Sequence, residues 1–97
     1  MEITRTENGK EVTLKLVGCL DTAATSEFES AMTGTAGAES IVLDMSELEF
    51  IASSALRLLV SIKKQRGAAY PITLAGMNDV VREVFDITGL TEVFTVR

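Results

Sequence analysis

The chain has 97 residues, 46% hydrophobic and 24% charged, a balance that suits one small core and excludes both a disordered tail and a two-domain enzyme. Its one cysteine, Cys19, and its lack of histidine rule out an internal disulfide and a Cys/His zinc site, and a reducing compartment suits it. A net charge of −5 with an isoelectric point near 4.6 repels phosphate backbones, so proteins rather than nucleic acid are the expected partners.

Met1 to Glu7 alternates polar and apolar residues without the basic-then-apolar order of a signal peptide. No apolar stretch approaches the ~20 residues of a membrane span, and a cytoplasmic location is expected. The charge is uneven: residues 1–52 carry ten acids and three bases, residues 53–97 four acids and six bases, with Arg57, Lys63, Lys64 and Arg66 inside one ten-residue window. Such a basic helix is either a docking face or a solvated surface, and charge alone does not separate the two.

Ile3 to Thr6 and Glu11 to Val17 are period-2 runs joined by Asn8-Gly9, a pair that tolerates positive φ and predicts a type I′ hairpin. Val12, Leu14 and Leu16 share one face of the second run and should be its buried side. Gly18 to Thr22 is expected to turn the chain into a helix, with Ser26 and Glu29 as a capping box and Phe28, Ala31 and Met32 as its apolar stripe. Thr33 to Ala38, rich in small residues, lacks the Gly-Lys-Ser/Thr ending and preceding strand of a phosphate loop and reads as a plain loop.

Ile41 to Met45 reads as a central strand covered on both faces, followed by the acidic stretch Ser46 to Glu49. The second helix spans about Ser53 to Arg66 and stops at Gly67. Ile72 to Ala75 is a strand, and Asp79 to Ile87 a helix with Asn78 as N-cap, apolar residues Val80, Val81, Val84 and Phe85, and Gly89 as its left-handed stop. Val93 to Val96 is the last strand. This order predicts one α/β domain over residues 1–97: a mixed sheet with an N-terminal hairpin and helices packed on it through right-handed crossovers.

At 100° per residue, Ala55, Leu56, Leu59, Val60 and Ile62 share the inner arc of the second helix, while Ser54, Arg57, Ser61, Lys64 and Gln65 face outward with Leu58 at the border. Ser54, Arg57, Leu58 and Ser61 thus make an outward stripe. The alternative is purely structural: Ser53 caps the helix, Ser54 fills its first turn and Leu58 edges the core.

The stretch from Ile41-Val42-Leu43-Asp44 through Phe50-Ile51-Ala52-Ser53-Ser54-Ala55-Leu56 resembles the signature of STAS-domain anti-sigma-factor antagonists, in which an apolar strand ending in Asp leads through Phe-Ile to Asp-Ser-Ser-Gly-Leu at a helix start. Gly18-Cys19-Leu20-Asp21-Thr22 is similar to that family's Gly-x-Leu-Asp loop, and Thr88-Gly89-Leu90 to its Thr-Gly-Leu after the third helix. The resemblance implies a bacterial anti-anti-sigma factor that binds an anti-sigma factor which is also a serine kinase. Phosphorylation by that kinase ends the interaction, and a serine phosphatase restores it. Carried onto this sequence, the modified serine falls on Ser54, with Ser53 as the alternative, and the docking face comprises Asp21, Thr22, Ser53, Ser54, Arg57, Leu58 and Ser61.

Ala52 stands where the family usually has Asp and Ala55 where it usually has Gly. These departures keep open a second reading, a STAS module that is not phosphorylated and serves as a scaffold or interaction subunit of a transporter or signalling complex. Ala55 adds a methyl where close backbone approach by a partner is expected, and Ser53 is expected to cap in place of the lost carboxylate. Enzymatic readings are weaker. Ser61-Ile62-Lys63-Lys64 matches Ser-x-x-Lys without its companion motifs, and no histidine is present to act as base for Ser54. Asp21 and Asp44 read as strand-end caps rather than a Mg²⁺ pair, and no cofactor or metal is required. Cys19 reads as a packing residue.

Overall fold

The computed structural model describes residues 1–67 and 69–97. Strands β1 (Glu2–Asn8) and β2 (Glu11–Leu20) form the expected antiparallel hairpin, but Asn8 pairs with Glu11 and the loop is Gly9-Lys10; of the two only Gly9, at φ 66°, has positive φ, so the turn is not the expected type I′ and has the II′ pattern. Strand β3 (Ser40–Ile51), β4 (Ile72–Ala75) and β5 (Thr95–Val96) then add in parallel, giving a five-stranded mixed sheet in sequential order. The connecting helices are α1 (Thr25–Thr33), α2 (Ser53–Arg66) and α3 (Asp79–Ile87).

Sequential order has a geometric consequence. Each right-handed crossover steps the same way across the sheet, so all three helices are carried to one face. The burial pattern agrees: Val12, Leu14, Leu16, Ile41, Leu43, Ile72 and Leu74 point to that face and are buried, while Thr13, Lys15, Asp44 and Thr73 on the other face are half-buried. Val42, alone of its face in β3, is also buried, so the expected double cover of the central strand holds only near its N-terminal end. Phe28 and Met32 of α1, Ala55, Leu56, Leu59 and Ile62 of α2, and Val81 and Phe85 of α3 complete the core, with Phe94 edge-on to Phe85 at 6.2 Å.

Several expected boundaries move. β2 does not turn at Gly18 but continues to Leu20, absorbing register shifts between Lys15 and Val17 and between Gly18 and Cys19, with Gly18 at φ 104°. β3 likewise runs through the acidic stretch to Ile51, because Leu48 and Ile51 turn inward and Glu47, Glu49 and Phe50 outward. Cys19 is exposed at this irregularity, not packed. Val80 of α3 is 58% exposed rather than part of the apolar face, which is made by the buried Val81 and Phe85 and the half-buried Val84. After Gly89, at φ 74°, Leu90–Glu92 form a 3-10 turn, which shortens the last strand to Thr95–Val96.

The capping box at Ser26 and Glu29 is absent. The N-cap of α1 lies two residues earlier, at Ala24, and the Asp21 carboxylate instead accepts from the Ala24 N–H at 2.9 Å. Asn78, by contrast, caps α3 as its sequence position predicts, accepting from the Val81 N–H at 2.8 Å while its amide donates to the Leu48 carbonyl. The C-terminus of α2 is anchored by Arg66, which donates to the Met32 carbonyl, the Thr35 hydroxyl and the Tyr70 hydroxyl and stacks over the Tyr70 ring. Lys63, buried, donates to the Tyr70 carbonyl.

Candidate functional site

Parallel strands deliver their following loops to one end of a sheet, and the site is built there. At the C-terminal ends of β2 and β3 the Ala52 N–H donates to the Leu20 carbonyl at 2.8 Å, locking the start of α2 beside the loop that carries Asp21 and Thr22. Asp21 is exposed, as is Thr22. One Asp21 oxygen is spent on Ala24, and the Asp21 backbone carbonyl accepts from the Thr25 hydroxyl at 3.0 Å.

Thr25 links the two halves of the site. Its hydroxyl lies 3.2 Å from the Ser54 hydroxyl, close enough for a hydrogen bond in which either atom donates. Ser54 is therefore half-buried and leans toward α1, not directly outward as the helical projection has it. Ser53 is the exposed serine of the pair. It does not cap: Ala52 occupies the N-cap and no side chain accepts from the first turn of α2. The start of this helix thus keeps unpaired N–H groups and their partial positive charge.

The two departures from the signature have different consequences. Ala52 accounts for the missing cap. Ala55 is fully buried, so its methyl packs into the core and offers no obstacle to a partner approaching from outside, contrary to the expectation.

The outward residues of α2 divide between two grooves. Leu58 and Ser61 line a hollow of about 330 Å³ against α1, whose wall includes Glu29, Met32 and Thr33. Ser53, Arg57, Ser61 and Lys64 line a second, of about 500 Å³, whose far wall is Thr88 and Leu90 at the end of α3. Ser61 borders both. The docking residues expected from sequence therefore lie along one connected strip from the Asp21 loop down α2, with Leu58 on one flank and Arg57 on the other. Thr25, Thr88 and Leu90 were not among them. Thr25 is hidden by a helix start placed at Ser26, whereas Thr88-Gly89-Leu90 carries a signal in the sequence, as a helix stop and as the family-like Thr-Gly-Leu, that does not by itself place it beside α2.

Ser61 and Lys64 of the Ser-x-x-Lys match both line the larger groove, with no hydrogen bond between them among the described residues. Among the described residues no cluster of three or more Cys, Asp or Glu could hold a metal ion. Among the described residues no helix is long and apolar enough to cross a membrane.

Comparison with known proteins matches residues 3–96 to the family described as "Mlab, STAS domain". The chain is 33% identical over 88 residues to the "Putative anti-sigma factor antagonist BtrV" of Bordetella bronchiseptica, covering 84% of this chain and 76% of that protein. Among solved structures, an anti-sigma factor antagonist from Mycobacterium paratuberculosis superposes with a TM-score of 0.88 at 18% identity, over 98% of this chain and 83% of that one. SpoIIAA in its unphosphorylated form gives 0.81 at 21% identity over 99% and 88%, and Bacillus SpoIIAA in its phosphorylated form 0.75 at 19% over 99% and 91%. These proteins are regulatory and not enzymes. With residues 3–96 matched to the family and 33% identity to BtrV over 84% of its length, the chain belongs to the STAS-domain family of anti-sigma-factor antagonists.

Proposed function

We propose that this protein is a phosphorylation-controlled partner switch: unmodified, it docks through the Asp21 loop and the head of α2 onto an anti-sigma factor with serine-kinase activity, and a phosphate on Ser54 ends that association. The observation that carries the reading is the position of Ser54. Its hydroxyl sits in the first turn of an uncapped helix, half-exposed, held by one neighbouring hydroxyl, with Arg57 one turn on. A phosphoserine there adds about −1.5 to −2 charges, which the free N–H groups and the helix dipole accommodate.

The same charge is costly in a closed interface. An unpaired charge buried against a partner costs ~2–5 kcal/mol, or roughly 30- to several-thousand-fold in affinity. Modification therefore acts on association and leaves the host folded. The exposed residues Asp21, Thr22, Ser53, Arg57 and Ser61 and the half-buried Leu58 provide the surrounding contact area. A serine phosphatase would reset the switch.

The test is a pull-down with unmodified protein and Ser54→Asp side by side, followed by mapping of phosphate after incubation with the captured kinase and ATP. Capture by the unmodified protein alone, with label on Ser54 and none in Ser54→Ala, is the expected result. Label on Ser53 instead moves the switch by one residue. An absence of label together with equal capture by both forms overturns the switch in favour of an unmodified scaffold subunit, the reading that Ala52 favours by leaving the expected carboxylate position empty of charge.

A further inference from the structure

We infer that the groove between α2 and the turn after α3 docks an acidic amphipathic helix of the protein partner. The inference rests on the partner-binding reading above but needs no modification of Ser54. The groove measures about 500 Å³, within the range of binding clefts. Its floor is apolar: Leu56, Val60 and Leu90, the last turned back against the core by left-handed Gly89.

Its rim is cationic. Arg57 and Lys64 are seven residues apart on one side of α2, which sets them about 10.5 Å apart along the helix axis. Elsewhere on this acidic chain, among the described residues, every base but Arg97 is spent, Lys63 on the Tyr70 carbonyl. Arg5, Lys10, Lys15 and Arg82 pair with Glu7, Glu39, Glu47 and Asp86, and Arg66 anchors the end of α2. Neither Arg57 nor Lys64 has an acidic partner among the described residues, and no carboxylate lines the groove; Glu92 borders Lys64 only in the adjoining hollow. An occupant that complements this strip presents carboxylates at i and i+7 and apolar side chains at i+3 and i+4, which is one face of an acidic helix. The apolar contacts supply affinity, and the two cations fix orientation and register.

The test titrates isotope-labelled protein with a synthetic helical peptide carrying Glu at i and i+7 and Leu at i+3 and i+4, against a control with Lys in place of Glu. Amide shifts clustered at Val60, Lys64 and Leu90, weakened about tenfold by the Arg57→Glu/Lys64→Glu pair and recovered with the Lys peptide, are the expected result. Circular dichroism of the variant checks that it is folded. Equal binding of both peptides, or no groove shifts at millimolar peptide, overturns the inference. So do shifts produced by decanoate and not by the acidic peptide, which would make the groove a small-amphiphile site. Lys64 lies outside the docking face assigned to the switch, which keeps the two proposals separable. A kinase captured by the unmodified protein, lost with Ser54→Asp and indifferent to Lys64→Glu, leaves the switch standing and removes the groove. Peptide docking with capture indifferent to Ser54→Asp does the reverse.

Discussion

Replacing Ser54 by Asp should change binding without unfolding the domain, and the size of the stability change follows from the surroundings of the hydroxyl. The substitution removes the 3.2 Å contact with Thr25, worth ~0.5–1.5 kcal/mol for a typical hydrogen bond. It adds a negative charge to the first turn of a helix that has no side-chain cap, worth ~0.3–1 kcal/mol in return. The two nearly offset, so the net change stays within ~1 kcal/mol, which for a domain of this size is a shift in Tm of roughly 4–8 °C at most. Ser54→Ala loses the hydrogen bond and gains no charge, so it should melt below Ser54→Asp at low salt, and the gap should close in about 1 M salt as the dipole interaction is screened. Thermal melts followed by circular dichroism decide it. If Ser54→Asp melts ~15 °C or more below the unmodified protein, the hydroxyl is a structural strut, and any loss of partner binding in that variant would reflect unfolding rather than switching.

Three further substitutions probe the frame that holds the site. Asn78→Ala removes the cap of α3 and the bond to the Leu48 carbonyl together and should cost about 1–3 kcal/mol in urea unfolding. Gly76→Ala should be destabilising by at least about 1 kcal/mol, because Gly76 has φ +72° and an added Cβ would stand 3.0 Å from the Ser46 Cβ; Gly37→Ala, in open space, should stay within ~0.5 kcal/mol. The Asp44 carboxyl is held below its ordinary value of 3.8, chiefly by hydrogen bonds from the Ser46 hydroxyl and N–H. Its depressed native pKa contributes stability above pH ~4 that disappears as the pH falls through the native value, so acid destabilisation below pH ~4 should be shallower in Asp44→Asn.

Signals carried by neighbouring residues were legible in the sequence, and those that depend on distant partners were not. Asn8-Gly9 declared its hairpin, Asn78 its cap and Gly67 its helix stop, because each acts on backbone within a few residues. The lengths of β2 and β3 were hidden, since their outer halves persist only by pairing with each other through irregular register, Gly18 opposite Leu48 and Cys19 opposite Phe50. A capping box at Ser26 was a sound local expectation that lost to Asp21, whose carboxylate reaches the preceding turn. The helical projection found the residues of the α2 strip but set Ser54 fully outward, because a wheel drawn for one helix knows nothing of Thr25 on another. Ala55 was misjudged for the same reason: which side of α2 meets the sheet is a property of the assembled layers.

The hairpin bend at Gly9 and Lys10 sits at one extremity of β2, whereas Asp21 follows the other, and ten strand residues separate them by about 30 Å. Few places on so small a molecule are so remote from its business end. A fluorophore, an affinity handle or an inserted loop grafted at that bend would ride on an outer strand, leaving the recognition strip unobstructed and giving a fixed reference point from which approach of a second protein could be measured by energy transfer.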